Sequence, residues 1–546
     1  MTAHRYDASP GESQTAGLRR SDSGWPGWPS LAAWLIVGLL TTLPGLSTKS
    51  LHYDEGLEAR LAQLPIASQY APYADPAARE SDRRSGLILD SPHLYHTLLH
   101  PILNRLGTNG FSVRLLAWIA GGFLVPLAYI LLASVFPTGL AILGTLGFNF
   151  SAWRVELAQM GRPHSMFLAA AMLSLILFPA AAARRSWPGW LAYCAVLAIT
   201  VQTSYWGILV VVPAHLIATV LLRREYGYWR RAIAAQVFAG ATSLYYASTL
   251  LMSYGKHSGG DPTVPRALAV PLFGRCLVLF GVGEFGKLDV PDLPLVAGIT
   301  LVVSVVVLRG AVAWWRSAEG WSRWLGACVG IWVVLLFSAH FAARSLAAWP
   351  MERKFALLLV PLLISFVFGL KSIRSPGWRY LAVGVWIVAG AFFGFRSMAS
   401  NPFRDSTRMA TTVAEQPGPV LVYSNRDLFM QFLLDQARPS DGVAYRRVSH
   451  DKDGGFQLTD VRPDERSASV CLCLVREGSY LSGRLGALVH GGGPPDVDEK
   501  MKTAVARVTE TLTASGWRPS GSAYYPGRIS YQVACFARPA SEGTRD

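Results

Sequence analysis

Apolar runs of helical length, divided by short polar stretches, fill the chain from residue 30 to about residue 396. They cover roughly residues 30–47, 112–135, 138–152, 164–183, 188–204, 206–222, 232–252, 292–308, 324–343, 355–370 and 379–396. A helix of about 20 mainly apolar residues crosses a bilayer. The pattern therefore predicts an α-helical polytopic membrane protein with about eleven transmembrane helices, the stretch 188–222 being divided into two.

Longer polar segments interrupt the runs at 48–111, 153–163 and 253–291, and the apolar character falls away after about residue 397. Within the first segment, Gly56 to Leu64 and Leu94 to Leu106 are amphipathic but too short to span, which predicts helices lying on the membrane surface. The segment 253–291 opens with Gly and Pro and has an apolar middle, Ala267 to Val282, which suits a loop whose helix dips into the interface. Beyond residue 400, Pro419 to Tyr423, Ala468 to Val475 and Tyr531 to Ala537 read as strands, and Asp427 to Gln436 and Glu499 to Ser515 as helices. That alternation predicts a small α/β domain. The run Gly491-Gly492-Gly493 has no Lys-Ser/Thr after it, so it is a linker and not a phosphate loop. Three regions result: a polar, disordered tail over 1–29, a membrane domain over 30–398 and a soluble domain over 399–546.

Composition agrees with the pattern. Of 546 residues, 51% are hydrophobic and 16% charged, and 18 are Trp. The net charge of +15 would suit a nucleic-acid ligand if the cations were clustered. They are instead spread over short loops: Arg184 and Arg185; Arg223, Arg224, Arg230 and Arg231; Arg309, Arg316 and Arg323; Lys371, Arg374 and Arg379. Cations on alternate loops mark the cytoplasmic side, so nucleic acid is excluded as a partner. With eleven spans these loops share a side with the N-terminus. The C-terminal domain and the long loops then face away from the cytoplasm, in a multi-pass protein of the cell (inner) membrane. No small-residue cleavage site follows the first run, so that helix is read as uncleaved. Six scattered Cys form no metal motif; Cys473 and Cys535 are placed to pair across the sheet or to remain as buried thiols.

Four polar groups on the non-cytoplasmic side carry candidate chemistry. Asp54 and Glu55 follow the first span directly, and adjacent carboxylates there suit a general base or a cation site. Asp90 to His96 opens the second amphipathic helix, with Pro92 at its start, Asp90 or Ser91 as cap, and His93, Tyr95 and His96 available to a substrate. Arg154 to His164, including Glu156 and Arg162, gathers charge at the junction of two spans, where ionisable groups are costly without a role. Met351 to Phe355 places Arg353 and Lys354 against the positive-inside trend, which a lipid-linked phosphate would explain.

Taken in order, these groups resemble motifs of the GT-C superfamily of membrane glycosyltransferases, in particular the protein O-mannosyltransferase and aminoarabinose-transferase-like branch. Asp54-Glu55 matches the Asp-Glu motif after the first helix. Pro92-His93-Leu94-Tyr95 matches in part a Pro-Pro-Leu-Tyr helix start. Gln159 to His164 matches loosely a Gln/Glu-Ala-Arg-x-Tyr loop, and Arg353-Lys354-Phe355 with Pro361 an Arg-Tyr…Pro late helix. The resemblance covers about residues 30–400. Leu57 stands where the family often has Arg, with Arg60 the nearest cation; His93 replaces the second Pro, and His164 an aromatic.

The resemblance implies a sugar donor linked to a polyprenyl phosphate, used at the non-cytoplasmic membrane surface. The acceptor would be a hydroxyl of a lipid, glycan or protein, and membrane lipids would surround the enzyme. Asp54 would be the general base of an inverting transfer, and Glu55 would orient acceptor or base. Arg162, Arg353 and Lys354 would stabilise charge on the departing phosphate, and His164 would bond it. His93, Tyr95, Arg60 and Glu156 would line the acceptor side. No metal-ligand set is complete, so no cofactor is assigned, though His164 or His93 leaves room for a divalent ion. A transporter is the alternative from another class, but no internal repeat or matched pair of broken helices supports it.

Overall fold

A computed structural model describes residues 27–47, 53–69, 92–184, 186–223, 228–246, 270–283, 293–342, 352–399, 404–416, 419–424, 443–447, 449–450, 456–457, 468–477, 497–525 and 529–538. The N-terminal tail, the cap residues Asp90 and Ser91, the expected helix at Asp427 to Gln436 and the triple glycine lie outside these residues.

Each of the eleven expected spans falls on a helix. In chain order the helices of this part are α1 (Trp28–Thr42), α2 (Tyr53–Gln63), α3 (Leu94–Leu106), α4 (Gly110–Ala133), α5 (Thr138–Phe150), α6 (Ala152–Gln159), α7 (His164–Arg184) and α8 (Trp187–Thr203). They continue with α9 (Val212–Leu221), α10 (Trp229–Ala241), α11 (Val270–Val282), α12 (Leu293–Ser317), α13 (Gly320–Ala342), α14 (Leu359–Ser372) and α15 (Pro376–Ala399). Six of the described helices are long and apolar enough to cross a membrane by length and composition alone, and three shorter apolar ones accompany them. Helices suit this setting because each satisfies its own backbone hydrogen bonds where water is absent.

Local chemistry explains several boundaries. Helix α1 ends at Thr42, ahead of Pro44, and the hydroxyls of Thr41 and Thr42 fold back onto the carbonyls of Val37 and Gly38. Helix α4 opens with a reciprocal cap: Asn109 Oδ1 accepts from the Ser112 N–H, and Ser112 Oγ accepts from the Asn109 N–H. The division of 188–222 occurs at Ser204, which is extended (φ −154°, ψ 142°), and a π-helical turn over Gly207–Val211 leads into α9. Gly207 is needed there, because a Cβ on it would lie 2.6 Å from the Thr200 carbonyl oxygen. Helix α3 starts at Leu94 with His93 in the cap position and no side-chain cap bond, so the cap lies two residues after Ser91 and three after Asp90.

Two expectations change. The segment 153–163 is not an open loop. Residues 153–159 belong to α6, which is buried along its length except at the half-buried Glu156, and 160–163 turn the chain into α7. Helix α2 does not lie on a surface either: Glu55, Gly56, Glu58, Ala59, Leu61 and Ala62 are all buried. Its glutamates gave it an amphipathic look, but they are buried against cations. Helix α3 does keep two faces, with Tyr95, His96, Leu99 and Leu103 buried and Leu98 and Leu106 exposed.

The main apolar core joins α4 to α15. Its closest helix crossing is α12 on α14. A Cβ on Gly310 would lie 1.6 Å from the Ser365 carbonyl oxygen, and one on Gly369 2.0 Å from that of Val306. Small residues let transmembrane backbones approach in this way. Near α8, Phe178 stacks flat on Trp324 with centroids 3.8 Å apart.

The C-terminal part adds α16 (Arg404–Ala414), α17 (Val497–Ala514) and the strands β1 (Val420–Ser424), β2 (Val443–Arg447), β3 (Ser449–His450), β4 (Phe456–Gln457), β5 (Ser469–Glu477), β6 (Arg518–Tyr525) and β7 (Ile529–Ala537). The main sheet has the order β2-β1-β5-β7-β6, with β2, β1 and β5 parallel and the β7 and β6 pairings antiparallel. Cys535 of β7 is in register with Cys471 of β5 and is bonded to it, while Cys473 faces Val533 and remains a buried thiol. The pairing of Cys473 with Cys535 is therefore replaced by its neighbour two residues away. One apolar cluster contains Ala59 and Ala62 of α2, Tyr95 and Leu99 of α3, Met409 and Val413 of α16, and the sheet residues Val420, Cys471 and Cys535.

The α12–α14 crossing gives a test of packing. Gly310→Leu should lower the melting temperature of the detergent-solubilised protein, since overpacking a tight site costs about 1–3 kcal/mol. Gly298→Ala on the same helix meets open space and should leave the melting temperature unchanged.

Candidate functional site

The polar centre forms where α2, α3, the first turns of α4 and the turn from α6 into α7 converge. Glu55 and Glu58 are three residues apart on α2, so they share one face of the helix. Both are buried, at 2% and 4% exposure. Charges at such burial require partners, and each carboxylate has them.

Glu55 accepts from Arg114 through both oxygens, from Nε at 2.8 Å and from Nη2 at 2.8 Å. This is the fork-to-fork geometry that makes Arg–carboxylate pairs strong. Arg114 also donates from Nη1 to the Leu46 carbonyl at 3.1 Å, tying the end of the first helical segment to α4. The remaining capacity of Glu55 goes to the backbone: the Gly161 N–H donates to Oε1 at 2.7 Å. A Cβ on Gly161 would sit 3.0 Å from the Val113 carbonyl oxygen and 3.3 Å from Glu55 Oε1, so a small residue favours this approach.

Glu58 holds the next residue of the same turn. Arg162 Nε donates to its Oε1 at 3.2 Å, and His96 Nε2 of α3 meets its Oε2 in a short contact. The two glutamates thus grip adjacent residues, Gly161 and Arg162. Tyr95 is fully buried beside this group, and its phenol is pushed well above the usual range, first by burial and then by the charges of Glu58 and Glu55. His93 is held down to about 3, chiefly by burial and secondly by His96, so its ring is neutral near pH 7.

A third buried cation fixes the helix that leads into this turn. Arg154 of α6 is fully buried and donates to the carbonyls of Gly38, Gly121 and Asn149 and to the Thr41 hydroxyl, at 2.7–3.3 Å. Gln159, the last residue of α6, donates to the carbonyls of Thr42 and Pro44. These bonds pin α6 to the end of α1, the segment that leads into the Asp54-Glu55 motif.

The expected residues are placed as follows. Asp54 lies in the first turn of α2, next to Glu55; its side chain is outside the described part. Arg162 is at the centre, and His164 is two residues on, half-buried at the first position of α7. Tyr95 and His93 are both buried on the α3 side. Arg60 is half-buried on α2, with Nη1 3.5 Å from Gln63 Oε1. Glu156 lies on α6 near Gly283, whose Cβ position is 3.5 Å from its Oε1. Arg353 and Lys354 stand in the 3-10 helix Glu352–Leu358, which packs on α7; their side chains are outside the described part. Among the described residues no three His, Cys, Asp or Glu side chains gather as a metal site would need.

Sequence reasoning missed Glu58 and Arg114. A signal existed for each. Glu58 is one helical turn from Glu55, and Arg114 is a lone cation at the edge of a long apolar run, where a charge implies a partner.

No family model and no curated protein matches the chain. Solved structures do match. ArnT from Cupriavidus metallidurans bound to undecaprenyl phosphate aligns with a TM-score of 0.50 at 13% identity, over 92% of this chain and 96% of that one. Its apo structure gives 0.51 at 12% identity over the same shares. The chain has the ArnT fold. At this identity the likeness is one of fold, and it extends through the C-terminal part as well as the helices. It is the architecture that the order of the motifs led us to expect.

The Glu55–Arg114 pair should behave as a structural lock. Removing one partner of a buried pair costs about 3–5 kcal/mol, so Arg114→Met should sharply lower the melting temperature of the purified protein. Glu55→Gln in the same background should add less than it does alone. Strict additivity of the two losses would show that the groups do not act on each other.

Proposed function

We propose that this protein is a membrane glycosyltransferase that moves a sugar from a polyprenyl-phosphate donor to a hydroxyl acceptor on the non-cytoplasmic face. The observation that carries this reading is the grip of α2 on the 161–162 turn. It brings the helix bearing the acidic motif against the arginine that the motif order assigns to the donor phosphate. The ArnT fold supports the same choice, since one such structure holds undecaprenyl phosphate.

In this reading Asp54 takes the proton of the acceptor hydroxyl. The acceptor oxygen forms a bond to the anomeric carbon while the bond from that carbon to the phosphate oxygen breaks, with inversion. The electron pair leaves on the phosphate, and the product is a polyprenyl phosphate with one more negative charge than the donor. Arg162, with Arg353, Lys354 and His164, meets that charge as it develops. Glu55 supports the reaction by fixing the turn rather than by touching the acceptor. His93 and Tyr95 are neutral groups that shape the acceptor side, with Arg60 and Glu156 at its edges.

Membranes containing the protein should transfer labelled sugar from a polyprenyl-phosphate donor to an endogenous acceptor. Asp54→Asn should lose about 10²–10⁴-fold in rate, the usual contribution of a general base, with donor binding retained. Transfer at the parental rate would move the base elsewhere. Absence of any transfer by the parent, with uptake of a polar solute instead, would mean a transporter.

We also propose that the N-terminus is cytoplasmic and residues 399–546 are exported. The alternation of basic loops supports this, and the Cys471–Cys535 disulfide fits an oxidising compartment. Alkaline phosphatase fused at residue 400 should be active, and a cytoplasm-dependent reporter at the same point silent. The reverse pattern would mean an odd error in the number of spans.

A further inference from the structure

The grip of α2 has an electrostatic cost that its geometry does not require. Gly161 is held by Glu55 through the backbone, which would suffice to fix the turn. Glu58 adds a carboxylate at 3.2 Å from Arg162 Nε, where the two residues are only 4% and 7% exposed. At such a distance, and at low effective dielectric, a carboxylate offsets part of the field of a guanidinium. Arg162 therefore meets a ligand as a well-oriented donor whose charge is already partly matched. Its plane is fixed as well, because a guanidinium bonded at Nε has its terminal nitrogens held in one direction.

The two lipid species of the proposed reaction differ in charge. The donor is a phosphodiester with one negative charge. The departing polyprenyl phosphate is a monoester, whose second ionisation lies near pH 6, so it carries nearly two at neutral pH. A bare arginine clamp would hold the product more tightly than the donor, and would slow its release. We propose that Glu58 is a specificity-determining residue of the phosphate site: by offsetting Arg162 it matches the site to the singly charged lipid phosphodiester and weakens its hold on the doubly charged lipid phosphate. This rests on the reading of Arg162 as a donor-phosphate residue. The paired His96 keeps Glu58 in place from the other side, so the carboxylate cannot swing away when a phosphate arrives.

The test uses the full chain in detergent at pH 8 and two probes, a polyprenyl phosphate monoester and its methyl diester. The parent should bind both with affinities within about threefold of each other. Glu58→Gln keeps the shape and an acceptor oxygen but removes the charge. It should tighten monoester binding by roughly threefold or more, the factor that unit charges about 6 Å apart exchange even at the dielectric of water. Diester binding should change by a smaller factor, so the ratio shifts toward the monoester. Glu58→Asp should keep the parental ratio. An unchanged or lowered monoester-to-diester ratio in Glu58→Gln would overturn the proposal. Should that variant not fold, the parent alone decides: a preference for the monoester of tenfold or more means that the site is not matched to the singly charged lipid, which overturns the proposal. If the parent binds neither probe, the donor reading itself fails, and the inference with it. If both probes bind the parent and Glu58→Gln alike, only the role of Glu58 fails.

Discussion

Two carboxylates buried on one helix face hold this molecule's polar centre together. A glutamate taken out of water must be matched on both oxygens or it destabilises the fold. Glu55 and Glu58 are matched by groups from three other places in the sequence: Arg114 on α4, His96 on α3, and the Gly161–Arg162 turn. The order of these elements around α2 follows from that requirement.

The surrounding bundle supplies the setting in which such pairs are strong. Helix α6 is held from below by Arg154 through carbonyl and hydroxyl acceptors, and at its end by Gln159. The close crossing of α12 and α14 and the aromatic stack of Phe178 on Trp324 leave little freedom in the rest of the core. A rigid bundle keeps water from the pairs, and low dielectric keeps them directional.

Much of the fold was legible in the sequence because long apolar runs are strong signals. The runs located the spans, and even the shorter α3 and α11 fell where amphipathic and apolar stretches placed them. Strand β6 was not legible: Arg518 to Tyr525 contains Pro519, Ser520 and Gly521, and it is a strand because β7 pairs with it. Helix α2 was found but its setting was not, because a glutamate on a short helix looks the same in sequence whether water or arginine receives it. The candidate site was legible only in part for the same reason. Asp54, Glu55 and Arg162 belong to recognisable local patterns. Arg114 and His96 join them by contacts that span 59 and 38 positions, and no local pattern carries such information.

Helix α2 is also where the apolar cluster of the C-terminal sheet ends. Ala59 and Ala62 belong to that cluster, while Glu55 and Glu58, on the same three turns, belong to the ion pairs. Positions 55, 58, 59 and 62 fall on one face of the helix, so a roll of α2 would break ion pairs and methyl contacts together. In mechanical terms the helix is a strut between two bodies. Any shift of the cluster that moved Ala59 and Ala62 would therefore carry Glu55 and Glu58, and with them the 161–162 turn.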